Sequence, residues 1–163
     1  EGHGLGASLA LAMALARPGH VRAIDIDGLM LPDSEERAVL LARYAPPIVI
    51  EPDGAHWYRL WLRLRDSLIY WPWYRPRLDA LLRTQADLGA ETLHRWTTEV
   101  MNQHATSHHF VQAALRHDAA TALRRCPVPV HRLKQPHSPL AAACGDRLDS
   151  LIRDLAPERL TTP

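Results

Sequence analysis

The sequence has few of the residues that build disulfide-bonded or zinc-stabilised folds. It contains two cysteines, Cys126 and Cys144, among 163 residues, which is too few for a disulfide framework or a zinc pattern. A chain of this length can bury enough apolar surface to fold without such cross-links. By default, the shortage of cysteine favours the reducing cytosol.

An excess of charge is absent as well. Nineteen Lys and Arg residues against 18 Asp and Glu residues leave a formal net charge of +1. A nucleic-acid-binding protein would carry a concentrated basic face, and no apolar run is long enough to cross a membrane. We therefore expect a soluble, cytoplasmic protein that binds neither nucleic acid nor a membrane.

Apolar periodicity predicts an α/β protein. An apolar helix at 7–17 stops at a Pro-Gly turn, and a β-branched strand at 21–27 follows it. A second strand, entered through prolines, is predicted at 126–133. Since a helix leads into the first of these strands, we expect the strands to pair in parallel.

The chain between these strands has a helical pattern. We predict helices starting within 32–36 and near residue 53, and at 78–88, 90–103, 110–115 and 119–125, with a last helix at 147–155. The helix near residue 53 would place five apolar side chains on one face: Trp57, Leu60, Trp61, Leu64 and Leu68. All five tryptophans fall between residues 57 and 96, which indicates a packed core or an apolar binding pocket.

Glycines alternate directly before the first predicted helix, at Gly2, Gly4 and Gly6. This spacing does not fit the G-x-G-x-x-G phosphate loop. It fits the nucleophile elbow, G-x-S-x-G, in which glycines allow a strand to turn sharply into a helix. We expect Gly2 and Gly6 to allow close packing of that helix on the strand, and Gly6→Val to clash.

A wider resemblance follows from this motif. The segment 2–7, the apolar helix, Arg-Pro-Gly-His-Val-Arg and a strand ending in Asp27-Gly28 resemble an α/β hydrolase. The segments 40–47 and 60–74 resemble the helical cap of bacterial esterases, epoxide hydrolases and thioesterases, and 119–140 resembles the return to the sheet.

The resemblance implies an α/β fold with a parallel sheet flanked by helices, incomplete in this chain, and an inserted helical cap. The elbow, helix and strand of the core would span 1–28, the cap 29–118, and the return to the core 119–163. The ligand would be a small apolar ester, thioester or epoxide, with no cofactor and no metal.

The catalytic positions that the resemblance implies are empty. Gly4 stands at the nucleophile position and offers no side chain for a covalent intermediate. Ser138 stands where the catalytic acid is expected, and no later histidine precedes Pro163. The backbone N–H of Leu5 would still serve the oxyanion hole.

Several other residues are candidates for this site. Asp27 could be a relocated acid, although the sequence favours a cap for the turn at Gly28 or a solvent-facing carboxylate. His3 is expected to pack beside the sheet. We assign substrate binding to His3 together with Trp57, Trp61, Trp71, Trp73 and Tyr74.

Ser8 and Cys144 are candidates for a substitute nucleophile. Some of the ten histidines are candidates for a metal site. Ser8 more simply bonds a backbone carbonyl, and Cys144 more simply acts as a small buried hydrophobe. His104 and His108 share a helix face, but no Asp, Glu or Cys completes a ligand set with His109 or His117.

Three histories fit a hydrolase without its catalytic residues: an engineered glycine at position 4, a truncated chain, or a naturally degenerate hydrolase. We favour the last, together with a chain that is the C-terminal portion of a longer fold. The predicted function is a member or descendant of the hydrolases, inactive as written. The alternatives are a non-catalytic relative that binds a ligand or partner, and a half-domain that needs its missing N-terminal part.

Overall fold

The structure is a computed structural model that describes residues 1–82, 86–133 and 139–159. The chain divides into two compact units. Glu1–Asp33 and His117–Pro163 form the first, here called the core unit, and Ser34–Arg116 forms the second, here called the helical unit. The chain thus leaves the core unit after residue 33 and returns at residue 117, against predicted bounds of 29 and 118.

The described residues form three strands and seven α-helices. In chain order these are β1 (Gly2–His3), α1 (Leu5–Ala16), β2 (Ile24–Asp27), α2 (Ser34–Arg43), α3 (Ala55–Ser67), α4 (Ala90–Asn102), α5 (Ser107–Arg116), α6 (Ala119–Arg125), β3 (Val130–Arg132) and α7 (Pro139–Arg159). Short 3-10 turns lie at Pro18–His20 and Leu78–Ala80.

The strands form one parallel sheet in the order β1-β2-β3, so the predicted α/β class and strand direction are confirmed. In the register, His3 pairs with Asp27, and Ile24 pairs with Val130. The prolines before β3 do not prevent pairing, because the carbonyl of Pro129 accepts the N–H of Ile24 at 3.0 Å.

The hydrophobic core of the core unit lies between the sheet and its helices. Helix α1 packs against β1, β2 and α6, while α7 packs against β2 and β3. Ala7, Leu11, Ile26, Leu123 and Leu148 are fully buried in this core. The buried apolar residues of α1 thereby hold this helix against the sheet, directly after Gly4.

Two helix pairs make up the helical unit: α3 packs against α4, and α2 packs against α5. Leu60 and Leu68 of the predicted apolar face are buried, as are Leu93 and Met101 of α4. Trp57 is not, since 43% of its surface is exposed. Of the two roles left open for the tryptophans, the packed core therefore does not apply to Trp57, whereas a binding role stays a prediction.

The helix predicted at 78–88 is wrong over its described part. Residues 78–80 form only a 3-10 turn, and Leu81 is extended. The backbone of this segment pairs instead with the chain after α3: Trp71 N–H donates to the Ala80 carbonyl and Leu82 N–H to the Ile69 carbonyl, both at 2.8 Å. These bonds satisfy the groups that a helix would have used, so tertiary pairing overrides local propensity.

The start of α4 carries a carboxylate whose titration can be predicted. Asp87 accepts the Gly89 N–H at 2.8 Å and the Thr92 hydroxyl at 2.6 Å. Both bonds favour the charged form, with Thr92 contributing most, and they lower the pKa of Asp87 below its ordinary 3.8. The stabilisation is present above the ordinary value and is lost as pH falls through the lowered one.

We expect Thr92→Val to raise the pKa of Asp87 towards its ordinary value, because valine keeps the shape of threonine but removes the hydroxyl donor. A ¹³C NMR titration of the Asp87 carboxyl measures this directly. Thr98→Val is the matched control, since that hydroxyl donates to the His94 carbonyl. If the pKa of Asp87 were unchanged in Thr92→Val, the Thr92 hydroxyl would not be the main cause of its lowering.

Candidate functional site

The glycine motif forms a tight strand-to-helix turn. β1 ends at His3, α1 begins at Leu5, and Gly4 alone connects them, with φ 53° and ψ −115°. This φ is positive, and this ψ lies outside the left-handed helical region that asparagine or aspartate can reach. Gly4 N–H donates to the Asp27 carbonyl at 3.0 Å, and the Gly4 carbonyl accepts the Ala7 N–H at 3.1 Å.

Gly2 allows the first turn of α1 to lie directly on β1. A Cβ atom at Gly2 would lie 2.6 Å from the Gly6 carbonyl oxygen and 2.8 Å from the Ala7 Cα. A Cβ at Gly6 would meet no atom within 4 Å. The prediction of close packing therefore holds for Gly2 and is wrong for Gly6. Gly6 contributes its main-chain carbonyl to the close approach to Gly2, and the space beside its own Cα is open.

His3 and Asp27 lie side by side at the carboxyl ends of β1 and β2. Their side chains meet, with His3 Nδ1 3.2 Å from Asp27 Oδ1. Asp27 is completely buried, whereas 38% of the His3 side chain is exposed. Of the two roles that the sequence favours for Asp27, the solvent-facing carboxylate is therefore wrong, and the cap for the turn at Gly28 stays a prediction. The role of Asp27 as a relocated acid stays a prediction.

This contact could have been read from the topology. Polar residues end both strands, and the carboxyl ends of neighbouring parallel strands meet at one edge of a sheet. Because a carboxylate oxygen accepts, His3 Nδ1 is the donor in this contact. Glu1 Oε2 lies 3.9 Å from Nε2. An imidazole oriented by a buried carboxylate is the arrangement used for general-base chemistry.

Leu5 and Ser8 lie on the first turns of α1. Leu5 is the first residue of the helix, so its N–H belongs to the group that an α-helix leaves without an intrahelical partner. Ser8 is 5% exposed, and its hydroxyl has no hydrogen-bond partner in the described part of the chain. The expected bond from Ser8 to a backbone carbonyl is therefore not formed.

The remaining candidates of the core unit divide into two groups. Cys144 is buried, as expected for a small hydrophobe. Ser138 lies outside the described residues, as do residues 134–137. Its place relative to Gly4 and Asp27 therefore stays a prediction.

The aromatic candidates of the helical unit occupy different environments. Trp73 donates its indole N–H to the Tyr44 carbonyl at 2.8 Å. Trp71 packs on Tyr44, with ring centroids 5.1 Å apart. The Tyr74 ring lies 5.6 Å from that of Trp73 and 4.7 Å from the Arg43 guanidinium carbon. Trp61 is half-buried. Trp73, Trp71 and Tyr74 thus form one aromatic group.

The histidines of α5 do not form a metal centre. His108 and His109 stack with ring centroids 4.0 Å apart. Burial, and then the neighbouring His109, lower the pKa of His108 below its ordinary value. Among the described residues, no group of three or more His, Cys, Asp or Glu side chains could hold a metal ion.

No protein-family model, curated protein or solved structure matches this chain. Within the described ranges, no helix is both long and apolar enough to cross a membrane. The functional assignment therefore depends on the geometry around Gly4 and on the contact of His3 with Asp27.

Proposed function

We propose that this chain is an α/β-hydrolase-type protein whose elbow binds a small apolar ester-, thioester- or epoxide-like ligand without forming a covalent intermediate. The observation that carries the proposal is the backbone of Gly4, with φ 53° and ψ −115° between a strand and a helix. A hydrolase elbow holds its nucleophile on this kind of sharp strand-to-helix turn. Gly4 keeps the turn and lacks the nucleophile.

The helix start supplies the proposed ligand contact. Leu5 follows the turn, and its backbone N–H lies at the positive end of the α1 dipole. A preorganised N–H of this kind polarises a carbonyl oxygen and stabilises negative charge on it. Leu5 would thus orient an ester or thioester carbonyl, although no side chain at residue 4 can attack the carbonyl carbon.

Within the helical unit, Trp57, Trp61, Trp71, Trp73 and Tyr74 stay predicted substrate-binding residues. The grouping of Trp71, Trp73 and Tyr74 supports this, because aromatic side chains line most small-molecule sites. With 43% of its surface exposed, Trp57 leaves part of its ring accessible to a ligand.

The contact between His3 and Asp27 favours a second candidate function, which is direct hydrolysis. In this reaction Nε2 of His3 takes a proton from water as the water oxygen attacks the carbonyl carbon. The proton then passes to the leaving alkoxide, which gives an acid and an alcohol. The 3.2 Å contact to a buried carboxylate would hold the imidazole for this step.

NMR titration tests ligand binding at the elbow. We expect ethyl hexanoate to shift the backbone amide signals of Gly4 and Leu5 in a saturable manner. Dihexyl ether, which lacks a carbonyl, should shift them far less, because the proposed contact is a hydrogen bond to the carbonyl oxygen. Equal responses to the two compounds, or none at 2–5, would contradict the proposal.

Mass spectrometry and kinetics separate the two functions. With p-nitrophenyl hexanoate, intact mass should show no stoichiometric acyl-enzyme on the unmodified chain. A saturable turnover that His3→Gln lowers about 10²-fold would favour direct hydrolysis. His20→Gln is the matched control, since His20 is exposed and lies in the 3-10 turn after α1. An acyl adduct would mean that Ser8 or another side chain has become the nucleophile.

A further inference from the structure

The helical unit contains a cavity of about 280 Å³ between α3 and the chain that follows α2. Its apolar wall consists of residues 46–49, Leu60 and Trp73. The polar residues of the wall are His56, Arg59 and Arg63. A volume near the lower limit for small-molecule sites suits a ligand of one or two rings.

Helix α3 aligns the polar groups. His56, Leu60 and Arg63 follow one another at spacings of four and three, so they share one face of the helix. Trp73 also lines the cavity and is fixed because its indole N–H donates to the Tyr44 carbonyl at 2.8 Å. The site therefore combines a fixed aromatic ring with two polar side chains, His56 and Arg63, on one helix face.

The two arginines of the wall differ in their partners. Arg59 forms an ion pair with Glu51. Arg63 donates only to the Pro46 carbonyl, at 3.4 Å, and has no carboxylate partner among the described residues. Arg63 is half-buried, and burial lowers the pKa of its guanidinium. A partly desolvated arginine without a counter-ion is unusual, because buried charges are normally paired.

His56 supplies a second donor. Its Nδ1 accepts the backbone N–H of Glu51 at 3.1 Å, which places the ring proton on Nε2. This Nε2–H has no hydrogen-bond partner within the described ranges. His56 is 9% exposed, so solvent reaches little of the ring. Apart from Arg59, which is paired with Glu51, the cavity thus presents two donor groups, and no acidic residue is among its lining residues.

We propose that this cavity binds a small aryl carboxylate. The carboxylate would accept hydrogen bonds from the guanidinium of Arg63 and from Nε2–H of His56, and the ring would lie against Trp73 and Leu60. A monoanion fits because one cationic side chain is unpaired, and an apolar body fits because most of the wall is hydrocarbon. The assignment does not depend on the function proposed for the elbow.

Calorimetric titration of the full chain with 2-naphthoate tests the assignment. The neutral analogue 2-naphthamide should bind at least about tenfold more weakly, because a charge-assisted hydrogen bond contributes about 1.5–3 kcal/mol. Arg63→Met should weaken naphthoate binding by a similar factor and leave naphthamide binding unchanged. Arg65→Met is the matched control on the same helix, where Arg65 pairs with Asp66 and does not line the cavity.

Other outcomes would overturn the proposal. Equal affinity for the acid and the amide would show that the cavity does not recognise charge, and absence of naphthoate binding at millimolar concentration would show that it is not a site for this class. If Arg63→Met does not fold, two other measurements decide whether the cavity recognises the carboxylate: naphthoate binding by Arg63→Lys, and the comparison of the two ligands on the unmodified chain. Amide shifts on binding should lie at 46–63, whereas the elbow proposal concerns Gly4 and Leu5.

Discussion

Gly2→Ala is expected to destabilise the protein by about 3 kcal/mol, at the upper end of the range for overpacking. The new methyl group would lie 2.6 Å from the Gly6 carbonyl oxygen and 2.8 Å from the Ala7 Cα. Both are main-chain atoms at the start of α1, so no side-chain rotation can relieve the clash. Either β1 or the whole helix would have to move. The free energy of unfolding in urea measures the loss.

Gly6→Ala is the control for this experiment. A Cβ at Gly6 meets nothing within 4 Å, and alanine is favoured over glycine in a helix by about 0.5–1 kcal/mol. We therefore expect its stability to equal or slightly exceed that of the unmodified chain. Similar losses in both variants would mean that the motif is intolerant of any side chain, and the specific contact of Gly2 with α1 would be refuted.

The contrast between these two glycines shows how far the sequence predicts the site. The alternation of glycines predicts a strand that turns into a helix, and the structure confirms that turn at Gly4. Alternation alone does not say which glycine faces the helix. That depends on the direction in which each missing Cβ would point, and the backbone angles decide it.

Local patterns predict the core unit better than the helical unit. The Pro-Gly turn, the β-branched run and the apolar helix each agree with the tertiary structure, so α1, β2 and β3 are found near their predicted positions. The segment after Tyr74 has no such agreement. Its leucines indicate a helix, but Leu78 is 88% exposed, and the backbone near Leu81 pairs with that near Tyr70.

The candidate-site residues whose proximity the sequence did not reveal are distant in the chain. His3 and Asp27 are 24 positions apart and meet because β1 and β2 are parallel neighbours. Arg63 and Trp73 line one cavity only because the chain after α3 folds back towards residues 44–49. Neither pair has a sequence spacing that marks it, so the pairing had to come from the topology.

Gly4→Ala is expected to cost about 1–3 kcal/mol, the usual cost of holding an L-residue in a sparsely populated backbone region. Gly4 has φ 53° and ψ −115°, and its N–H is fixed by the Asp27 carbonyl at 3.0 Å. The turn therefore cannot relax without losing that bond. Gly4→Ser should be destabilised to the same extent, because its hydroxyl does not change the backbone preference. Urea unfolding measures both variants.

Gly19→Ala separates this effect from the general effect of replacing glycine. Gly19 lies in the 3-10 turn Pro18–His20, and a Cβ there meets nothing within 4 Å. A compatible Gly→Ala change stabilises by about 0.4–1 kcal/mol through the unfolded state, so Gly19→Ala should not lose stability. If Gly4→Ala were as stable as Gly19→Ala, the turn would not need glycine. Relief of backbone strain could then not be the reason that glycine stands at position 4, since a serine would fit there at no cost.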